Sequence, residues 1–215
     1  MEEMDTPTIE RQRMDVDIAC VGFGPATAGF LTTLTRGLMK EDGTPIADSA
    51  AMPGMPPQVI CYERADDIGF GVSGVVTRGD SIKASFPDQD LTEIPLSAEV
   101  SAEKIAYLLD PIGASRRPIL MKAADAVLRP FCKKHSAFEL PWIPGFLQKE
   151  PGYVFSMGQF CQWVGSQVMA TGMAQIWPGT PVSKVLVEDN AVKGIRLIDQ
   201  GVEKDGTPGP LFMPG

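Results

Sequence analysis

Apolar and polar positions along the chain follow two alternating periods. The run VDIACVGFG, 16–24, is short and apolar and closes on glycine, and PATAGFLTTLTRGLMK, 25–40, continues with apolar residues three and four apart. Together they predict a buried strand that passes through a tight turn into a helix, with Pro25 in the first helical turn, where its missing N–H is harmless. In EDGTPIADSAAMPGMPPQ, 41–58, Pro and Gly interrupt any period and predict a loop. VICYERA, 59–65, then predicts a second buried strand ending on the acid Glu63. Residues 66–85 are glycine-rich and are expected to be irregular.

Further along, SAEKIAYLLD predicts a short helix with Ser101 as its N-cap. RPILMKAADAVLRPF predicts an amphipathic helix opened by Pro118 and ended by Pro130. At helical spacing Leu120, Ala124, Val127, Leu128 and Phe131 share one face, and Lys122, Asp125, Arg129 and Lys133 share the other. FELPWIPGFLQKEPG has too many prolines for a helix and is unusually apolar for a loop. YVFSM predicts a strand, GQFCQWVGSQVMATG a helix with Phe160, Val164 and Val168 inward, and AQIWPG another strand. PVSKVLVEDNAVKGIRLID predicts a hairpin around the turn EDNA, and the Gly/Pro-rich tail from Gln200 carries no predicted element. No internal repeat is present.

Composition narrows the function. With 215 residues, 44% of them hydrophobic, the chain can build a sizeable core. A net charge of -8 argues against nucleic acid as a partner, since such binding needs clustered cations that displace phosphate counterions. Cys20, Cys61, Cys132 and Cys161 are scattered, and His135 is the single imidazole, so no zinc or iron-sulfur spacing is present and reduced thiols are expected. No window reaches the roughly 20 apolar residues of a spanning helix. The acidic start resembles neither a signal peptide nor a transit peptide. A cytoplasmic chain is expected, with contact to a membrane surface left open.

The chemistry sits in the first strand, turn and helix. A G-x-G turn before a helix aims backbone N–H groups and the positive end of the helix dipole at one point, which suits a pyrophosphate. An acid ending the next strand can accept both ribose hydroxyls of an adenosine. Gly22 and Gly24 supply the turn and Glu63 the acid. Thr27 stands where the dinucleotide fingerprint has its third glycine, and the 41–58 loop lengthens the spacing to the acid beyond the usual ~20 residues. These residues alone do not separate FAD, a nicotinamide cofactor or an empty turn.

The order VGFGPATAG, CYERADDIGFGVSG, FPDQDLTEIPLSAEVSAEKIAYLL and then the block from GYVFSMGQFCQWVGSQ through the hairpin to VEKDGTP resembles the electron transfer flavoprotein-ubiquinone oxidoreductases. These electron-transferring-flavoprotein dehydrogenases belong to the geranylgeranyl-reductase-like FAD-binding superfamily. The resemblance runs from about Asp15 to the end of the chain. It implies an α/β fold: a Rossmann-like FAD/NAD(P)-binding domain of the glutathione-reductase type, incomplete at the C-terminus, with an inserted α+β segment facing quinone and membrane. It also implies FAD as cofactor. By position, Gly22, Gly24, Pro25 and Ala26 would line the pyrophosphate, and Glu63 would hold the AMP ribose with Arg64 as its basic neighbour. Ser73 and Gly74 would approach the flavin, and the backbone of Val182 the adenine. No catalytic residue is implied, because electron transfer needs a positioned flavin more than an acid-base pair.

The implied partners are electron transfer flavoprotein as donor, ubiquinone as acceptor, and a membrane surface, with peripheral placement on the cytoplasmic side. The family's iron-sulfur cluster has no ligands in this chain. The resemblance therefore implies a truncated, inactive portion of a longer enzyme, with a C-terminal half or partner subunit elsewhere. Two alternatives stand beside it: a flavoprotein reductase of the same superfamily that saturates prenyl chains, and a non-catalytic subunit or scaffold that keeps the fold.

The expected organisation is a disordered arm at 1–14, an FAD-binding part at 15–85, an inserted segment at 86–155, and a return of the FAD domain with its hairpin at 156–215. Within 110–136, Arg116, Arg117, Lys122, Arg129, Lys133 and Lys134 stand against Asp125 and, at the edge of the stretch, Asp110. A basic amphipathic helix of this kind suits an anionic membrane surface. Beside it, LPWIPGFL resembles the apolar segment by which the family reaches quinone in the bilayer, with Trp142, Ile143, Phe146 and Leu147 as anchors.

Overall fold

The computed structural model describes residues 9–70, 74–94, 98–109, 117–132 and 136–215. In chain order the elements are β1 (Ile18–Val21), α1 (Pro25–Gly37), β2 (Val59–Tyr62), β3 (Gly74–Thr77), α2 (Asp80–Ser85), β4 (Ala98–Glu99) and β5 (Ala106–Leu108). Then come α3 (Ile119–Leu128) with a 3-10 turn at Arg129–Phe131, β6 (Ala137–Glu139), β7 (Tyr153–Ser156) and α4 (Met157–Ala170). The chain ends with β8 (Ala174–Trp177), β9 (Val182–Glu188), β10 (Ala191–Leu197), β11 (Gln200–Val202) and β12 (Pro208–Met213).

The centre is a parallel sheet in the order β1-β2-β8, with Cys20 level with Cys61 and Cys61 level with Ile176. All four residues of β2 are buried, as its continuous apolar run requires of a strand covered on both faces. α1 turns Ala28, Leu31, Thr32 and Thr35 inward, and α4 turns Phe160, Cys161, Val164 and Val168 inward. The hydroxyls of Thr32 and Thr35 donate to the carbonyls of Ala28 and Leu31, so neither is buried without a partner. Gly165 lets α4 come close: a Cβ there would stand 3.0 Å from Ile68 Cδ1. The expected α/β architecture is the observed one.

A second, antiparallel sheet, β3-β7-β4, joins residues from the expected FAD part to residues from the expected inserted segment. Rings tie it to the core: Phe155 meets Phe160, and Trp163 lies against both Phe160 and Phe86. β5 and β6 form a separate two-stranded ribbon. β9 and β10 form the expected hairpin, closed by Asp189 and Asn190, both at positive φ. Asp and Asn tolerate that conformation better than most residues, which suits a two-residue hairpin turn.

Three segments differ from expectation. SAEKIAYLLD is not a helix: Ala106–Leu108 is β5, paired with Ala137–Glu139 some thirty residues on. The stretch expected to be irregular holds β3 and α2. The tail folds as the β11–β12 hairpin, whose turn at Asp205 and Thr207 repeats a device seen at Asp42 and Thr44 and at Asp90 and Thr92. In each the aspartate accepts both the N–H and the hydroxyl of the threonine two residues on.

Two carboxylates tether the outlying chain. Asp17 accepts from Ser49 Oγ and from the N–H groups of Ala50, Ala51 and Gln58, and so pins both ends of the 49–58 stretch to the foot of β1. Asp199 pairs with Arg11 and Arg196, which ties the described part of the N-terminal arm to the β10–β11 connection. The remainder of that arm lies outside the described residues.

Candidate functional site

The turn between β1 and α1 is built on Gly22 and Gly24. Gly22 has φ +84°, a left-handed conformation that favours glycine, and its N–H donates to the Tyr62 carbonyl at 2.8 Å. Gly24 is the N-cap of α1 and offers no side chain to its amides. A Cβ on either glycine would meet nothing within 4 Å, so the protein leaves the space over the turn open. Among the described residues the N–H groups of Gly24, Ala26 and Thr27 have no acceptor, and the first turn of α1 holds no acidic residue. The first-turn amides of the helix therefore face open space, as an anion site requires.

Glu63 stands beside this turn in a role that strand and spacing patterns do not reveal. Its Oε2 accepts the N–H of Phe23 at 2.6 Å, and its Oε1 accepts the N–H of Ala65 at 2.8 Å. The Phe23 side chain, between the two glycines, is buried in the core. The Glu63 backbone bonds in turn to Trp177 and Thr180, and Ala65 accepts from Gly179. One carboxylate thus sits where β1, β2 and the end of β8 converge. Each of its oxygens has accepted one protein hydrogen, and a carboxylate has further lone pairs for hydroxyl donors.

Thr27, in the place of the third glycine, is only half-buried, and the full burial of α1 begins at Ala28. Pro25 and Ala26 are exposed at the helix start. Arg64 is exposed and in no ion pair among the described residues. Val182 opens β9 two residues beyond Thr180, whose N–H bonds to the Glu63 carbonyl, so the hairpin starts beside the same junction. Gly74 opens β3 in the second sheet, level with Ser156, and Ser73 lies outside the described residues. Close by, burial pushes the Cys61 thiol up to about 12, with smaller contributions from Cys20 and Glu63. That keeps it protonated and unreactive. Among the described residues no group of three or more His, Cys, Asp or Glu is placed to hold a metal ion.

The apolar anchors lie elsewhere. Trp142 and Phe146 are 63% and 81% exposed, Leu147 is exposed, and Ile143 is half-buried. A cavity of about 580 Å³ opens beside them, lined by Glu103, Glu139, Trp142, Ile143 and Gln148 among others. In α3 neither expected face turns inward as a whole: the helix seats along the seam between Asp125, which is buried, and Leu128, which is half-buried. Asp125 is buried and paired with Arg117, while Leu120, Val127 and Phe131 face outward. Asp125 and Arg117 are therefore not members of an exposed charged face, because each satisfies the other. Lys122 and Arg129 remain exposed, and Arg116, Lys133 and Lys134 lie outside the described residues. Among the described residues no helix is long and apolar enough to cross a membrane.

No family model matches the chain. In sequence it is similar, over nearly its whole length, to proteins named electron transfer flavoprotein-ubiquinone oxidoreductase. It is 25% identical to that of Pseudomonas aeruginosa over 96% of the chain and 32% of the relative. It is 27% identical to a probable one of Acinetobacter baylyi over 97% of the chain and 31% of the relative. The mitochondrial protein of Mus musculus is 29% identical over 96% of the chain and 28% of the relative. The chain thus spans about three-tenths of the length of these curated relatives. Among solved structures it is similar to a geranylgeranyl bacteriochlorophyll reductase-like protein of Thermoplasma acidophilum, at TM-score 0.46 and 17% identity, covering 86% of the chain and 35% of the other. A probable FAD-dependent monooxygenase of Pseudomonas aeruginosa gives TM-score 0.44 and 13% identity, covering 89% and 39%.

Proposed function

We propose that this chain is the FAD-binding part of a flavoprotein oxidoreductase of the kind its relatives are named for. The observation that carries the reading is the glycine turn itself: open space above Gly22 and Gly24, amides without acceptors at the start of α1, and Glu63 clamped to the same turn. The residues present suit an ADP moiety. The N–H groups of Gly24, Ala26 and Thr27 would take the diphosphate, with Gly22 and Pro25 shaping the approach, and Glu63 would accept the ribose hydroxyls. The backbone of Val182 would meet the adenine, Arg64 would add a cation at the rim, and Ser73 and Gly74 would serve the flavin side.

FAD, when bound, supplies reversible uptake and release of electrons at its flavin ring. This chain's own residues bind the nucleotide, orient it through the Glu63 clamp, and keep a dry core beneath it. The donor in this reading is electron transfer flavoprotein and the acceptor ubiquinone, reached at a membrane surface on its cytoplasmic side. Trp142, Ile143, Phe146 and Leu147 are the lipid- and quinone-facing residues, a reading that the exposure of Trp142, Phe146 and Leu147 supports. An iron-sulfur cluster belongs to the longer enzyme and takes no ligand from this chain.

Competition tests the cofactor assignment. FAD and ADP should displace each other from the purified chain, while riboflavin, which lacks the diphosphate and adenosine, should not compete. Equal competition by riboflavin would move the site away from the turn. Co-sedimentation with anionic vesicles tests the membrane assignment.

A further inference from the structure

β8 ends in the turn Trp177-Pro178-Gly179-Thr180, which carries the chain from the strand paired with β2 to Val182 at the start of β9. Proline in the second place and glycine in the third, with Gly179 at φ +67°, are the residues and the sign of φ that a type II turn uses. Such a turn is ordinarily closed by its first carbonyl, which accepts the fourth N–H. Here a side chain closes it instead. The Trp177 carbonyl accepts the hydroxyl of half-buried Thr180 at 2.5 Å, and it accepts the Glu63 N–H as well, at 2.9 Å. A carbonyl has two lone pairs, so both are then used. The Thr180 N–H, released from closing the turn, donates to the Glu63 carbonyl at 2.9 Å, and the Gly179 N–H donates to the Ala65 carbonyl at 2.8 Å. The backbone of Glu63 is thus held at both its N–H and its carbonyl by residues 177 and 180. That hold sets the direction in which the carboxylate leaves the main chain to meet the N–H groups of Phe23 and Ala65.

We propose that Thr180 is a positioning residue for the adenosine half of the nucleotide site. Its hydroxyl closes the turn and so releases its own amide to hold Glu63, which aims the carboxylate at the ribose hydroxyls and sets Val182, two residues on, against the adenine. The inference rests on the nucleotide reading given above. Without the hydroxyl the Trp177 carbonyl loses one of its two donors, and the nearest replacement is the N–H of residue 180 itself. Taking that N–H would complete the ordinary turn and withdraw it from the Glu63 carbonyl. Glu63 would then keep one of its two main-chain anchors, and its carboxylate would no longer be held in one direction. A threonine that stabilises the fold without acting on Glu63 is the competing outcome.

The test is a calorimetric titration of the 215-residue chain with ADP and with 2′-deoxy-ADP, which lacks one of the hydroxyls assigned to Glu63. The parent should prefer ADP at least about tenfold, as one hydrogen bond to a carboxylate implies. Thr180→Val exchanges the hydroxyl for a methyl group. It should weaken ADP about fivefold and 2′-deoxy-ADP about twofold, so that the preference shrinks. Thr180→Ser keeps the hydroxyl and should restore the parent's preference. In a Glu63→Ala background the exchange at 180 should leave the preference unchanged, because the group it positions is gone. If Thr180→Val does not fold, Thr180→Ala makes the same comparison with no methyl against the Trp177 carbonyl. A parent that binds neither nucleotide overturns the nucleotide reading, and one that binds both alike overturns its ribose contact; either result overturns this inference with it. A parent that prefers ADP, beside a Thr180→Val that weakens both nucleotides by one factor, leaves the nucleotide reading intact and overturns the positioning role. Thr180→Ser behaving as Thr180→Val overturns the part given to the hydroxyl.

Discussion

Glu63 Oε2 accepts the backbone N–H of Phe23 at 2.6 Å, a contact between residues 40 apart in the chain. The acid that ends β2 thereby holds the turn that leaves β1, before any ligand is considered. Glu63→Ala should leave the Phe23 and Ala65 amides without this acceptor and lower folding stability by about 1–3 kcal/mol, measured by urea unfolding. An unchanged midpoint would mean that the turn is held by the core alone.

The missing third glycine leads to a counterintuitive expectation at Thr27. Restoring the fingerprint with Thr27→Gly should not improve nucleotide binding, because Thr27 is half-buried and close packing begins at Ala28. It should instead cost about 0.3 kcal/mol through the lower helix propensity of glycine. Thermal denaturation and a nucleotide titration of the variant check both halves, and a tenfold gain in affinity would contradict the packing argument.

Gly69 is constrained from two directions. Its φ is +74°, and a Cβ would stand 2.3 Å from the Gly158 carbonyl oxygen in the first turn of α4. Gly69→Ala should therefore destabilise by about 2–3 kcal/mol, combining backbone strain with a displaced helix start. Gly54→Ala provides the control: it shares a positive φ of 86° but meets nothing within 4 Å, so it should cost less.

Acid should loosen the loop before it unfolds the core. Hydrogen bonds from Ser49, then Gln58, Ala51 and Ala50, bring the Asp17 carboxyl from the ordinary 3.8 down to about 2. Because the folded value lies below the unfolded one, this stabilisation is complete above the unfolded value and is lost as pH falls through the folded one. Asp199 is shifted in the same direction, chiefly by Arg11. Asp17→Asn should lower Tm at neutral pH and flatten its decline between pH 3.8 and about 2. A variant whose Tm tracks the parent across that range would show that Asp17 does not tether the loop.

The parts legible in the sequence were those whose signals are local. An apolar run closed by G-x-G gave β1, its turn and α1, and alternation around EDNA gave the β9–β10 hairpin. AYL at 106–108 was misread because its neighbours favour a helix, and its strand state depends on pairing with Ala137–Glu139. In α3 the periodicity put Leu128 and Asp125 on opposite faces, whereas the helix seats along the seam between them, with Asp125 buried and Leu128 half-buried. It could not locate that seam, since this depends on Tyr107 and Arg117 meeting Asp125. Glu63 was visible as an acid at a strand end, but its bond to Phe23 is a tertiary contact that no spacing rule contains.

The central claim is that the turn at Gly22 and Gly24, held by Glu63, binds the nucleotide end of FAD. Calorimetric titration of the 215-residue chain with FAD, with the Glu63→Ala variant run in parallel, tests it most directly. The account predicts saturable one-to-one binding that ADP displaces, weakened at least about tenfold, or 1.4 kcal/mol, in Glu63→Ala. Absence of saturable binding by the parent, or the same affinity in parent and variant, would contradict it.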